Sequence, residues 1–217
     1  MTKRPLVSVL TGTYRRPHLL AGCIENVRAQ TYRPLEHVVV WDERDWDARE
    51  RVLADQAAYL ESNRFDDVVD LRVVELGRNW TTFLTNSRNA VPFQVANWIA
   101  AGDYQVWLAD DERMLVPDYI ERMVRVIEET GVDFVYPNVE AYFAWDEARR
   151  FVIGTDPPQN GQVTHALHRT ALLDVDGGGF RIHVGSGSDW DQFERWMKAG
   201  KTWTHVPETL VSHRIDG

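Results

Sequence analysis

The 217 residues predict one α/β domain, with a mostly parallel, twisted, Rossmann-like sheet and helices on both faces. Three observations lead there. Short β-branched runs alternate with stretches of helical apolar spacing through the first two thirds of the chain. Those runs read as buried strands that stop at Gly, Thr, Asp or Glu. No repeat, low-complexity tract or long linker divides the chain, and its length supports one sizeable core.

The elements follow in order. PLVSVLTGT (5–13) is a strand. Arg16 and Pro17 come next, with Pro17 at a first helical position. Leu19, Leu20, Cys23, Ile24 and Val27 then keep helical spacing. LEHVVVWD (35–42) is a second strand, DARERVLADQAAYLES (47–62) an exposed helix, and VDLRVVEL (69–76) a third strand. Residues 82–101 read as a long helix that Pro92 starts anew or kinks. DYQVWLA (103–109) is a fourth strand ending at Asp110. Pro117 opens a helix with Ile120, Met123, Val124 and Ile127 on one face, closed by Gly131. VDFVYPNV (132–139) is a fifth strand. A hairpin and a Pro/Gly loop fill 141–163, and VTHALH (163–168) is a short strand. GGGFRIHVGSGS (177–188) is a Gly-rich loop. A helix over 189–199 follows, with Trp190, Phe193 and Met197 inward and Gly200 as its stop. Two short strands, 201–206 and 209–214, finish the chain.

Composition narrows the function. A net charge of −9 is not the footprint of a protein that holds nucleic acid through its phosphates, so no stable nucleic-acid binding is expected. The single cysteine, Cys23, excludes an internal disulfide and a Cys-rich zinc site. No secretory h-region or bilayer-length apolar run is present, so the expectation is a cytoplasmic protein without a transmembrane segment. Nine tryptophans offer flat faces suited to sugar rings or nucleobases, although core packing would also use them.

In open parallel sheets, ligands sit beyond the carboxyl ends of the strands. Three such ends here are polar: Gly12-Thr13-Tyr14, Asp42-Glu43 and Asp110-Asp111-Glu112. A solvated strand end would account for the last cluster, and so would a divalent cation.

The motifs resemble those of the family 2 glycosyltransferases. VSVLTGTYRRP is similar to their opening strand and T-Y-N-R-P loop, and VVVWDE to their second strand with its acidic end. SRNAVPFQVANWIAAGDYQVWLADDE follows their R-N helix, A-x-G-D-Y turn and D-x-D strand end. GGGF followed by GSDWDQFERWMKAG resembles their acceptor-side loop and E-D-W helix. The resemblance runs over nearly the whole chain, in order. Three departures stand out: Ala109 at the first Asp of D-x-D, Ser188 in place of the acidic residue before Asp189, and a spacing from Asp111 to Pro117 one residue longer than the family's.

The resemblance implies a GT-A fold and transfer of a sugar from a nucleotide donor, UDP being the commonest, usually with inversion. Residues 1–112 would then form the nucleotide-sugar half and 113–217 the acceptor half. Mn²⁺ or Mg²⁺ on Asp111, with His213 completing its shell, would neutralise a departing diphosphate. Asp110 would meet the ribose or donor sugar. Gly12, Thr13 and Tyr14 would line the donor, with the Tyr14 ring stacked on the base. Asp42 would reach the nucleobase or ribose, and Arg16 and Arg88 would pair with phosphate. Asp189, at a helix start behind the Gly-rich loop, is the candidate base for an acceptor hydroxyl, with Asp191 in reserve. The acceptor would be a glycan or small molecule, and the oligomeric state is open. The rivals are a nucleotidyltransferase, for which TGTYRRP makes a poor NTP loop, and a nucleotide- or glycan-binding module without turnover.

Overall fold

A computed structural model of the protein describes residues 3–14, 16–41, 69–76, 90–163, 165–177, 179–181 and 187–215. Asp42, Arg88, the helix expected over 47–62 and the centre of the Gly-rich segment lie outside these residues.

The described strands are β1 (Val7–Thr13), β2 (Leu35–Trp41), β3 (Asp70–Glu75), β4 (Tyr104–Trp107), β5 (Arg113–Met114), β6 (Phe134–Phe143), β7 (Asp146–Ile153), β8 (Leu167–Arg169) and β9 (Trp203–Ile215). The helices are α1 (Pro17–Arg28), α2 (Ala90–Ile99), α3 (Tyr119–Thr130) and α4 (Ser188–Lys198), with a 3₁₀ segment over Thr170–Gly177. One sheet runs in the order β3-β2-β1-β4-β8-β6-β9-β5, with β7 added to β6. β3, β2, β1 and β4 are parallel, as the strand–helix alternation predicts. Beyond β4 the sheet is mixed, because β8 enters antiparallel to both β4 and β6 while β6 and β9 run parallel.

Side-chain alternation explains the layers. Val7, Val9, Tyr104, Val106 and Leu108 point to one face, where Cys23 and Val27 of α1 and Ile120, Met123 and Ile127 of α3 cover them. Leu10, Val38, Val40 and Trp107 point to the other, against Phe93 of α2 and Phe193 and Trp196 of α4. The stripe expected on α3 is the buried one, and Gly131, at φ 71°, closes that helix with its N–H on the Ile127 carbonyl. On α4 the inward residues are Phe193 and Trp196, while Trp190 and Met197 are half-buried.

Two expectations change in detail. The two short final strands form one strand, since β9 absorbs Pro207 and Glu208 in an irregularity opposite Pro137 and Asn138. Pro lacks the N–H a regular ladder needs, so the register shifts there and then resumes. A further strand, β5, is two residues long and too short for any periodic signal.

Buried polar groups tie the parallel half together. Glu36 accepts hydrogen bonds from the Ser8 hydroxyl and the Ala101 N–H, and pairs with Arg72. Gly102 then passes so close that a Cβ there would stand 2.3 Å from Ser8 Oγ. The α2–β4 turn therefore needs glycine at this position. Thr11 donates its hydroxyl proton to the Leu108 carbonyl at 2.8 Å. Toward His37 Nε2, 2.9 Å away, it can only accept. His37 thus carries a proton on Nε2 and donates it to Thr11.

Burial, with the charge of Arg28 adding to it, pushes His37 down to about 3. A histidine held below its unfolded value costs stability as pH falls, because only the unfolded chain takes up the proton. Urea unfolding is therefore expected to lose about 2 kcal/mol between pH 7 and pH 5 through His37 alone. His37→Gln should remove that part of the loss, and an unchanged pH dependence in this variant would refute the assignment.

Candidate active site

The site is built at the carboxyl ends of β1 and β4. Thr13 closes β1 and donates its hydroxyl to Asp110 Oδ2 at 2.6 Å. Asp110 lies just past β4, 3% exposed. Burial pushes its carboxyl up to about 6, with the Thr13 hydrogen bond and Arg16 opposing. Arg16, the residue before α1, reaches across from the β1 side. Its Nη1 lies 3.5 Å from Asp110 Oδ1 and pairs directly with Asp111 Oδ2. Thr13, Arg16, Asp110 and Asp111 thus share one corner, with Tyr14 half-buried at its edge. Gly12 sits inside β1, where a Cβ would meet Pro92 Cβ at 2.9 Å, so its place there has a packing reason.

Glu112 turns away from that corner into the protein. Its N–H bonds the Ala109 carbonyl at 3.1 Å, and its Oε2 accepts the Ala109 N–H at 2.7 Å, closing a tight turn. β5 begins at the next residue. Arg113 pairs with Ser212 of β9, so the antiparallel register sets Glu112 against His213. His213 Nδ1 lies 2.6 Å from Glu112 Oε1. On the other carboxylate oxygen, His165 Nε2 lies 3.0 Å from Oε2.

Glu112 is 1% exposed and His165 fully buried. The Tyr119 hydroxyl donates to the His165 carbonyl and holds its backbone. Neither ring nitrogen of His165 makes a well-aligned hydrogen bond with a described residue, although Nε2 faces the carboxylate. The ligating atoms of Glu112, His165 and His213 all lie within 4.8 Å of one another.

Charge couples this cluster to the rest of the site. Burial is the largest single influence on Glu112 and would raise its carboxyl, but the two histidines together hold it well below the usual carboxylate range. Burial likewise presses His213 down, and the Glu112 hydrogen bond and the charges of Glu112, Asp111 and Asp189 raise it above its ordinary value. Asp111 and Asp189 therefore lie within electrostatic reach of His213.

Asp189 stands in the first turn of α4, whose N-cap is Gly187 at φ 90°. Only glycine enters that conformation freely. The helix is held by an aromatic cluster around Trp107, with Phe193 at 5.6 Å and Trp196 at 6.1 Å between ring centroids. Asp191 has a different occupation: it pairs with Arg195 at 3.0 Å, and Arg195 in turn donates to the Gly179 carbonyl at 2.6 Å. The reserve candidate is thus engaged in fixing α4 to the Gly-rich segment.

Three of the residues at this site are hard to connect from sequence. Glu112, His165 and His213 are far apart in the chain, and only strand register unites them. His165 and His168 read alike in VTHALH, yet His168 packs in the Trp107 cluster, its ring pushed down to about 4 chiefly by burial. A separate hollow lined by Gln94, Asn97, Trp98, Leu173, Asp174 and Gly179 includes none of these groups. Among the described residues, no helix is long and apolar enough to cross a membrane.

Comparison with known proteins completes the description. Residues 8–172 match the sequence profile described as "Glycosyl transferase family 2". No curated protein sequence matches the chain significantly. Among solved structures, S. aureus TarS 1–349 in complex with UDP superposes with a TM-score of 0.70 at 16% identity, covering 96% of this chain and 60% of that one. The same fragment in complex with UDP-GlcNAc gives 0.70 at 15% identity, over 96% and 58%. The mannosyltransferase PcManGT from Pyrobaculum calidifontis, in complex with GDP-Man and Mn²⁺, gives 0.68 at 21% identity, over 98% and 57%. At these identities the likeness is one of fold, a GT-A-like α/β fold, and this chain spans less than two thirds of each neighbour's length. With its profile matched across most of its residues, the chain belongs to glycosyl transferase family 2.

Proposed function

We propose that this domain transfers a sugar from a nucleoside diphosphate sugar, UDP being the first candidate base, to an acceptor hydroxyl with inversion at the anomeric carbon. The observation that carries the proposal is the convergence of Thr13, Arg16, Asp110 and Asp111 at the ends of β1 and β4, with the charges of Asp111 and Asp189 both felt at His213. The family and the ligands named for the neighbours support it.

The donor's base would stack on Tyr14 and meet Asp42, and its ribose would meet Asp110. Arg16 already lies between two carboxylates, and a diphosphate gives it a stronger bidentate partner. Arg88 would add a second guanidinium. Mn²⁺ or Mg²⁺ near Asp111 and His213 would neutralise the departing diphosphate. The strand end offers groups that fit such a cation: the ligand atoms of Glu112, His165 and His213 lie within 4.8 Å of one another, with Asp111 acting on His213 by its charge. Asp189 takes the proton from the acceptor hydroxyl as its oxygen bonds to the anomeric carbon and the bond to the diphosphate breaks. Residues 1–112 hold the donor and 113–217 the acceptor, a glycan or small molecule, in this reading.

The test is nucleoside diphosphate release from UDP-, GDP- and dTDP-sugars in the presence of Mn²⁺. Asp189→Asn is expected to lower release about 10²–10⁴-fold while leaving diphosphate affinity nearly unchanged. Full activity in Asp189→Asn would overturn the base assignment. Tight nucleotide binding without turnover of any donor would point instead to a binding module.

A further inference from the structure

We propose that the hollow between α2 and the 3₁₀ segment is a second binding site, built for the ring of a neutral saccharide. It contains none of the residues assigned above to donor, cation or base. The site's existence does not depend on glycosyl transfer. Its use, holding a remote unit of a glycan acceptor, rests on the proposed function.

Helix α2 inverts the usual division of an amphipathic helix. Its buried residues include two carboxamides, Gln94 and Asn97, beside Ala90, Phe93 and Ala96. Its largest apolar side chain, Trp98, is 74% exposed. Buried amides beside an exposed indole call for a reason. Both carboxamides and the indole line the hollow, with Thr170, Leu173 and Asp174 of the 3₁₀ segment opposite. Its volume is about 580 Å³, within the roughly 300–1,000 Å³ of small-molecule sites. Gly179 also lines it, at φ 67°, where a Cβ would collide with the Gln94 carboxamide.

The lining selects the ligand. The indole N–H of Trp107 can only donate, so Asn97 Oδ1 faces it at 2.9 Å and the amide NH₂ is turned the other way. That NH₂ is buried without a hydrogen-bond partner among the described residues. A hydroxyl seated against Asn97 would supply the missing partner. Thr170 spends its proton on the Gly102 carbonyl at 2.7 Å and keeps lone pairs with which to accept. Asp174, exposed at the rim, is a further acceptor. Donor and acceptors in one hollow suit a sugar, whose hydroxyls both donate and accept. Trp98 adds the flat apolar face on which a pyranose ring stacks. No Lys or Arg is among the lining residues, and Asp174 adds to a net charge of −9, so phosphate and other anions are disfavoured. A quaternary ammonium group would want a cage of rings, and Trp98 is the one aromatic residue lining the hollow.

The test is titration of the whole ¹⁵N-labelled chain with methyl glucoside, methyl mannoside, N-acetylglucosamine and their disaccharides. Adenosine and inorganic phosphate are the comparators. The Trp98 indole resonance, assigned by its loss in Trp98→Ala, reports the location, and saturation transfer to the sugar protons reports affinity. At least one sugar is expected to shift that resonance saturably, with or without UDP. Trp98→Ala should weaken the same sugar about tenfold, and Asp174→Ala several-fold. Asp189→Asn should leave its affinity unchanged. No sugar binding, a shift with adenosine or phosphate in place of sugar, or sugar binding that survives both hollow variants would overturn the inference. Sugar binding lost in the hollow variants, together with no turnover of any nucleotide sugar, would uphold this site and defeat the transfer proposal alone.

Discussion

A carboxylate with 1% of its surface exposed governs this structure. Removing an ionised Glu from water is expensive unless its oxygens are met by hydrogen bonds and opposite charge. Glu112 has the Ala109 N–H from its own turn, His213 from the far end of β9 and His165 from the segment before β8. These partners come from three parts of the chain that lie far apart in sequence. Satisfying Glu112 therefore fixes the end of β4, the register of β5 on β9 and the approach to β8 together. The same turn that drives Glu112 inward leaves Asp110 and Asp111 on the side of β1.

The second constraint is aromatic. Trp107 is the last residue of β4 and lies two residues before the tight turn at Ala109. Its indole N–H bonds Asn97 at 2.9 Å, and its ring packs with His168, Phe180, Phe193 and Trp196. One side chain thus links α2, β4, β8 and α4. It places the start of α4, and with it Asp189, relative to the strand end that carries the acidic corner. Packing at this density transmits small displacements, so the placement of Asp189 relative to the acidic corner depends on this core.

Much of this was legible in the sequence because it is local. The runs that form β1, β2, β3, β4 and β6 are short and rich in β-branched and aromatic residues, and the stripe of α3 has the period of a helix. Asp110, Asp111 and Asp189 stand where a strand ends or a helix begins, which local pattern can locate. β5 is too short to have a period, and Pro207 looks like a break in β9 unless the opposing irregularity in β6 is known. On α4 the sequence places Trp190, Phe193 and Met197 inward; Phe193 is fully buried, and Trp190 and Met197 pack half-buried against the same core. Tertiary packing adds Trp196, fully buried against Trp107, which the periodic reading left out. The Glu112–His165–His213 cluster depends on pairing between distant strands, and no spacing within the chain encodes it. The chemistry expected of Asp42 and Arg88 falls outside the described residues.

The central claim is that the acidic strand end exists to receive a nucleoside diphosphate beside a cation. The most direct measurement is thermal unfolding with UDP, GDP, dTDP, CDP and ADP, each with and without Mn²⁺. A ligand that binds only the folded chain must raise its unfolding temperature. The account predicts a clear rise with one nucleotide, larger with Mn²⁺ and lost in Asp111→Ala. No shift with any nucleotide, with or without the metal, would contradict it.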